Sequence, residues 1–275
     1  KKTYTANIET HIKPALGAVK LSQLVPHLIQ RFYNELLTSG CKVPKRDKAG
    51  KLVKKDGKVV YEPAPMSAKT VRNIHGTLTK ALSTAVDIGY LRMNPADRVT
   101  LPKVEKRELA PLTDEQVKAF LQAASNDELE IILKVILFTG LRESEALGLT
   151  WDCVDFKKGT LRICKQLQKR PAEAGGFQFA ALKNDRTRIL HPAPFVIDIL
   201  RNVRTKQLER RLQAGVVWQD WIDPSKPYSS CRLVFTNRIG DHLHPQRLYA
   251  HHKKVATEAG APDARVHDLR HTFAV

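Results

Sequence analysis

Phe138-Thr139-Gly140-Leu141-Arg142-Glu143-Ser144-Glu145-Ala146-Leu147 is the stretch on which the reading of this chain turns. The apolar run Ile131-Ile132-Leu133-Lys134-Val135-Ile136-Leu137-Phe138 leads into it. Gly140 then breaks the run, because glycine adopts turn geometries that other residues resist. Leu147 and Leu149 resume the apolar spacing ahead of Trp151. Arg142 is thereby set at a sharp bend between two buried segments, with little freedom to swing. A held guanidinium is the side chain best matched to a phosphate, since two parallel N–H groups meet two oxygens. The same pattern also suits a plain helix–helix corner whose arginine pairs with Glu143 or Glu145. The rest of the chain decides between the two.

Charge is the first discriminator. The 275 residues carry 46 Lys/Arg against 28 Asp/Glu, a net +18, and 42% of them are hydrophobic, enough for a real core. The imbalance is concentrated at one end. Residues 1–107 hold 21 basic and 8 acidic side chains, a net +13, while residues 108–275 hold 25 and 20, a net +5. A strongly basic small domain beside a milder large one suits a polyanion, nucleic acid above all. The four cysteines, Cys41, Cys153, Cys164 and Cys231, form no Cys-x-x-Cys pair. Their scatter speaks against a zinc ribbon or a disulfide framework and fits a reducing cytosol. No apolar run reaches membrane-spanning length, and no secretory signal is visible at the N-terminus.

Taken in order, Tyr4, Ile8, Ile12 and Leu16 step by four and predict a helix, with Pro14 predicting a break before Gly17. Residues 24–38 predict a second helix, with Pro26 near its start and Gly40 as its stop. Residues 41–64 are dense in Lys and Arg. Within them, 51–61 reads as two short strands around Asp56-Gly57, a basic hairpin whose Lys51, Lys54, Lys55 and Lys58 would reach DNA phosphates. Ser67 caps a long predicted helix, 68–88, with Lys69, Arg72 and Lys80 off its apolar face and available to a DNA backbone. Asn94-Pro95 and Pro102 mark the end of a helical domain, 1–103, and 104–110 reads as a linker.

The second domain, 111–275, opens on Thr113 with Gln116 three residues on, a capping-box pattern. Helices are predicted at 114–124 and 127–139, then short strands at 154–156, 160–163 and 186–190. A long loop bearing Gly175-Gly176 lies between the last two strands, and helices follow near 193–214 and 245–259. The expected fold is therefore mainly α with a small β component (α+β).

His267 and Arg270 stand one helical turn apart, hence on one face. With Arg142 they would put two arginines and a histidine around one anion, a set suited to phosphoryl transfer. Lys183, just before the 186–190 strand, could lend a proton to a leaving alkoxide or be a plain solvated hairpin lysine. A metal site is not expected. His267 and His271 are four apart, but Asp268 replaces the glutamate a zincin needs and no third ligand is near. No Walker loop and no Gly-x-Ser-x-Gly elbow occurs.

At these residues the chain resembles the tyrosine recombinases, the phage-integrase family. The run Thr139-Gly140-Leu141-Arg142-x-Ser144-Glu145 with Leu149 and Trp151 is similar to the motif around that family's first active-site arginine. Leu182-Lys183-Asn184 with Thr187-Arg188 is similar to its lysine hairpin, although Leu182 stands where threonine is usual. His267-Asp268-Leu269-Arg270-His271-Thr272-Phe273-Ala274 is close to its His-x-x-Arg box. His11-Ile12-Lys13-Pro14-Ala15-Leu16-Gly17 and Asn94-Pro95-Ala96 resemble phrases in integrases of temperate phages and conjugative transposons.

The resemblance implies a helical core-binding domain and a mixed catalytic domain forming a C-shaped clamp on double-stranded DNA. It also implies strand cleavage and rejoining through a 3′-phosphotyrosyl intermediate, with no cofactor and no metal. Arg142 and Arg270 would hold the phosphate, Lys183 would be general acid, His267 would assist proton transfer, and Glu145 would steady the cluster. Copies of the chain would form a tetramer on DNA, with an excisionase or host DNA-bending protein as partner, in the bacterial cytoplasm at the nucleoid. The family's Gly-His box and nucleophilic tyrosine follow the His-x-x-Arg box, whereas the six tyrosines here, at 4, 33, 61, 90, 228 and 249, precede it. The chain as it stands is thus expected to bind DNA without cutting it, as a truncated form of an active enzyme. Two other readings remain open: a non-catalytic DNA-binding regulator derived from a recombinase, and a nicking enzyme resembling type IB topoisomerases.

Overall fold

In the computed structural model, which describes residues 2–47, 49–105, 111–171, 176–182, 186–225 and 232–274, the four-residue apolar steps of the first hundred residues become helices around one core. The chain divides into two compact units, Lys1–Arg107 and Glu108–Val275.

The first unit contains α1 (Lys2–Asn7), α2 (Lys13–Leu16), α3 (Pro26–Ser39) and α4 (Ala68–Asp87). Ile29, Phe32, Tyr33 and Leu36 of α3 pack on Val71, Ile74, Leu78 and Leu82 of α4. The break that Pro14 predicts is absent. A π turn over Ile8–Ile12, in which the Lys13 N–H donates to the Ile8 carbonyl, carries the helix on to Leu16. The shifted register leaves Pro14 in a first-turn position, where a missing N–H costs nothing. Ser67 caps α4 by accepting the Thr70 N–H at 3.2 Å.

The basic segment is longer than the hairpin its Asp-Gly turn announces. β1 (Cys41–Pro44) pairs antiparallel with β4 (Tyr61–Ala64) at the base, and β2 (Lys54–Lys55) pairs with β3 (Lys58–Val59) at the tip. Asp56 and Gly57 take φ of 50° and 75°, the left-handed pair of a tight hairpin turn. The arm buries almost nothing of its own, and Lys51, Lys54, Lys55 and Lys58 are all exposed.

The second unit opens with α5 (Asp114–Ala124), and the Thr113–Gln116 capping box forms in both directions. α6 (Glu130–Thr139) starts three residues later than the predicted 127, because the Asp127 carboxylate takes the Leu129 N–H and holds the preceding turn. After α7 (Glu143–Leu147) come β5 (Val154–Asp155) and β6 (Thr160–Ile163). The loop expected next contains a second hairpin, β7 (Gln166–Lys169) with β8 (Phe177–Ala180), Leu167 facing Phe179. Its strands are four residues each, with three glutamines among the eight, so the glycine signal hides them. β9 (Arg188–Leu190) pairs with β6, giving a three-stranded sheet in the order β5-β6-β9, with Ile163 opposite Arg188. α8 (Pro194–Ala214), α9 (Pro245–Glu258) and α10 (Val266–Phe273) complete the unit around a core that includes Leu133, Ile136, Leu161, Leu200, Leu248 and Leu269. The scattered cysteines are not all apart in space: the Sγ atoms of Cys153 and Cys164 lie 3.6 Å from each other. Among the described residues no helix is long and apolar enough to cross a membrane.

Candidate active site

The bend at Gly140 positions everything else in this site. Gly140 takes φ 61° and ψ 24°, and its N–H closes α6 on the Ile136 carbonyl at 3.0 Å. A side chain there is barred twice, since a Cβ would stand 2.5 Å from the Phe273 ring and φ lies in the left-handed region. α10 therefore seats directly on the end of α6. Arg270 fixes the junction by donating Nη1 to the Gly140 carbonyl at 2.5 Å. The two arginine motifs, far apart in sequence, meet at this one glycine.

Arg142 is the residue before α7. Its backbone N–H donates to Glu145 Oε2 at 2.9 Å and its Nη1 to Glu145 Oε1 at 2.7 Å. Glu145 also receives Arg188 of β9, with Nη1 on Oε1 at 3.0 Å and Nη2 on Oε2 at 2.6 Å. Glu145 is 1% exposed, so one buried carboxylate is shared by two guanidinium groups. Burial opposes its ionisation, but the hydrogen bonds from Arg188 and Arg142 outweigh it and hold the pKa down at about 2. Glu143 points the other way in character: burial alone pushes its pKa up. Of the two carboxylates that the corner reading offered Arg142, the structure uses Glu145.

Arg270 feels the same cluster. Its pKa is lowered by burial and then by the charges of Arg142 and Arg188, with Glu145 opposing them. Three cations around one anion leave a surplus of positive charge at this spot. His267 lies one turn earlier on α10 and lines, with Arg142, Glu143, Ser144, Leu147, Leu167 and Pro245, a cavity of about 270 Å³. Burial first, then His271 and Arg270, lower its pKa and favour the neutral imidazole. His267 and His271 meet edge to face, ring centroids 4.8 Å apart. Asp268 turns instead to Arg265, accepting its backbone N–H at 2.9 Å and its Nη2 at 2.7 Å, and so caps α10. No group of three His, Cys, Asp or Glu side chains placed to hold a metal occurs among the described residues.

Of the residues read from the sequence, Arg142, Glu145, Arg270 and His267 converge here. Lys183 lies outside the described residues. The strand before it is tied to α7 all the same: Ser144 Oγ donates to Gln166 Oε1 at 2.9 Å, and Gln166 Nε2 donates to the Ala181 carbonyl at 2.7 Å. Lys51, Lys54, Lys55, Lys58, Lys69, Arg72 and Lys80 belong to the first unit and are exposed. Arg72 is partly committed, its Nε donating to the Pro102 carbonyl at 2.8 Å. Sequence reasoning gave no role to Gln166, nor to Arg188, which it named within the lysine-hairpin motif. The alternation around Arg188 marked a strand, but only the β6–β9 register shows that its side chain reaches Glu145, 43 residues away.

Residues 111–275 match the phage integrase family, and residues 1–37 match the phage integrase N-terminal SAM-like domain. A tyrosine recombinase XerC-like protein of Caldanaerobacter subterraneus subsp. tengcongensis is 28% identical over 98% of this chain and 65% of its own length. An integrase of Saccharopolyspora erythraea is 24% identical over 98% of this chain and 66% of its own length. The chain thus spans slightly under two thirds of these curated relatives. Among solved structures, the Tn1549 transposon integrase in complex with transposon right end DNA superposes with a TM-score of 0.70 at 20% identity, covering 99% of this chain and 80% of that one. A lambda integrase dimer bound to a COC′ core site gives 0.58 at 14% identity, with 99% and 80% covered. At these identities the likeness is one of fold.

Proposed function

Because the chain belongs to the phage integrase family, we propose that it forms the DNA-binding and catalytic part of a site-specific recombinase, cutting and rejoining DNA strands to integrate and excise a mobile element. The observation that carries this is the state of Arg142. Only Nη1 of its guanidinium is engaged by Glu145, the side chain is 39% exposed, and it opens on the cavity that His267 also lines. Nε and Nη2 have no partner among the described residues, which leaves a fixed edge of two donors for a phosphate.

In the proposed reaction a tyrosine hydroxyl attacks the scissile phosphorus. The bond to the 5′-oxygen breaks as the phosphotyrosyl bond forms, leaving a free 5′-hydroxyl, and attack by another 5′-hydroxyl reverses the step. Phosphodiester energy is kept throughout, so no nucleotide is consumed. Arg142 and Arg270 offset the charge that grows on the non-bridging oxygens. His267, held neutral, accepts or relays a proton, and Lys183 gives one to the leaving 5′-oxygen. Glu145 keeps Arg142 in place. The nucleophile is a tyrosine downstream of the His-x-x-Arg box.

The first unit supplies core-site binding through Lys69, Arg72 and Lys80 of α4 and through the lysines of the arm, largely as phosphate contacts. The substrate is double-stranded DNA. Four copies pair two crossover sites, with an excisionase or a host DNA-bending protein setting direction, at the nucleoid of a bacterial cytoplasm. The similar lambda integrase, a dimer on its core site, supports assembly of copies on DNA.

A nicked duplex carrying the element end tests the reading, because it traps a covalent protein–DNA adduct on a denaturing gel. The full-length gene product is expected to give the adduct. Tight duplex binding with no adduct from the full-length protein would sink the recombinase reading and leave a non-catalytic DNA binder.

A further inference from the structure

α4 is a 20-residue helix with a glycine, Gly76, in its interior. A glycine there weakens a helix relative to alanine, so it needs a reason. Nothing among the described residues gives one. A Cβ at Gly76 would meet no atom within 4 Å, and its φ lies outside the left-handed range. Among the described glycines it stands alone in this: each of the others has a positive φ or an atom closer than 4 Å to the added Cβ.

Its surroundings on the helix point outward. At about 100° per residue, Lys69, Arg72, Asn73 and Lys80 fall within about 60° of Gly76 around the axis, while the buried Val71, Ile74, Leu78 and Leu82 lie opposite. Lys69, Arg72, Asn73, Gly76 and Lys80 are all exposed. No acidic residue occurs on α4 before Asp87. The result is a shallow saddle at the centre of a cationic face, with long basic side chains on either side and bare backbone between them. A rounded polyanion fits that saddle. A protein partner with an apolar face does not, because no large apolar side chain is exposed there.

We propose that α4 lies with its backbone directly against one phosphodiester strand of duplex DNA at Gly76, the flanking Lys69, Arg72, Asn73 and Lys80 gripping phosphates on either side; this rests on the DNA-binding reading above. Gly76 then acts by its absence of a side chain. Any Cβ substituent lifts the helix off the strand and lengthens every flanking contact together. Because the contact is to the backbone, the effect is independent of DNA sequence.

The test compares wild type with Gly76→Ala, Gly76→Leu, Lys80→Ala and Ala81→Leu in duplex binding at fixed salt, with thermal melting of the same samples. Ala81 is exposed on α4 but about 140° away around the axis, so it controls for a bulky residue on this helix. Gly76→Ala is expected to melt a few degrees higher than wild type yet bind duplex more weakly. Gly76→Leu is expected to lose about tenfold in affinity, the size of one charge-assisted phosphate contact, on specific and nonspecific duplexes alike. Ala81→Leu is expected to bind as wild type does. If Lys80→Ala weakens binding while Gly76→Leu binds normally, the close approach is overturned and the basic face survives. If wild type itself fails to bind duplex, the DNA-binding reading falls and the close approach with it.

Discussion

Arg188 sets both terminal nitrogens of its guanidinium on the two oxygens of Glu145, at 3.0 and 2.6 Å. The same carboxylate takes only one guanidinium nitrogen of Arg142, beside its backbone N–H. Arg188 therefore neutralises the buried charge, and Arg142 is oriented by Glu145 without being consumed by it. Replacing Arg188 with methionine would leave a carboxylate that is 1% exposed to one arginine alone. Removing one partner of such a buried pair costs about 3 kcal/mol. Arg142 would also be drawn further onto Glu145 and away from a phosphate. Arg188→Met is expected to lower stability by about that amount in urea titration and to slow strand cleavage by the full-length protein. Adding Glu145→Gln should restore most of the stability and none of the cleavage, since the buried charge is gone but Arg142 has lost its guide. A full return of cleavage in the double variant would count against the positioning argument.

How far the sequence reaches can be seen at individual residues. The Gly140 bend, the Ser67 and Thr113 caps and the Asp56-Gly57 turn are local chemistry, each decided by a few neighbouring residues, and each stands in the fold as read. Arg142, Glu145, Arg270 and His267 could be set on their elements for the same reason. What stayed hidden depends on register between distant segments. That Arg188 faces Glu145 follows from Ile163 pairing with Arg188 across two strands, and no local pattern encodes it. The β7–β8 hairpin was obscured because Gln166, Gln168 and Lys169 give little apolar alternation, while its stability comes from Leu167 and Phe177 packing on the wider core. Pro14 misled in the opposite direction, as a π turn one step earlier removed the need for its N–H.

Arg142→Lys separates charge from geometry. A lysine keeps the positive charge beside Glu145, but as a point charge it cannot present two parallel donors to a phosphate while a third is held. Duplex affinity is expected to stay within about threefold of wild type, because binding rests on many phosphate contacts. Cleavage by the full-length protein is expected to fall by at least about a hundredfold, the scale of losing one preorganised charge-stabilising donor. The covalent adduct on a nicked duplex is the readout, and normal adduct formation by the lysine variant would remove Arg142 from the phosphate site.

His252 on α9 is fully buried, with neither ring nitrogen hydrogen-bonded among the described residues, and it packs on Phe120 with centroids 5.8 Å apart. Burial lowers its pKa from 6.5 to about 4, with the charge of Asp268 acting against the shift. The fold thus requires the neutral ring. Its contribution to stability is fully present above the unfolded pKa and is lost as pH falls from 6.5 toward 4. A shift of that size corresponds to about 3 kcal/mol. A His252→Leu variant is expected to lose about that much less stability than wild type between pH 7 and pH 4, measured by denaturant titration at each pH. Parallel pH profiles for the two proteins would mean that the histidine finds water or a partner in solution.

The arm offers a prediction in which salt does the discriminating. Residues 45–60 hold Lys45, Arg46, Lys48, Lys51, Lys54, Lys55 and Lys58 against Asp47 and Asp56, and Pro44 lies directly across from Tyr61 at the base. Joining Pro44 to Tyr61 through a two-residue turn would remove the tip and keep the base pairing. Little stability should change, because the arm contributes almost nothing to the core of its unit. If three or four of its lysines neutralise phosphates, the slope of log affinity against log salt should flatten by about 3, at roughly 0.9 per phosphate. Affinity should then fall most at low salt and the two proteins should converge as salt rises. An unchanged slope would take the arm out of the DNA interface and leave its lysines as a solvated surface.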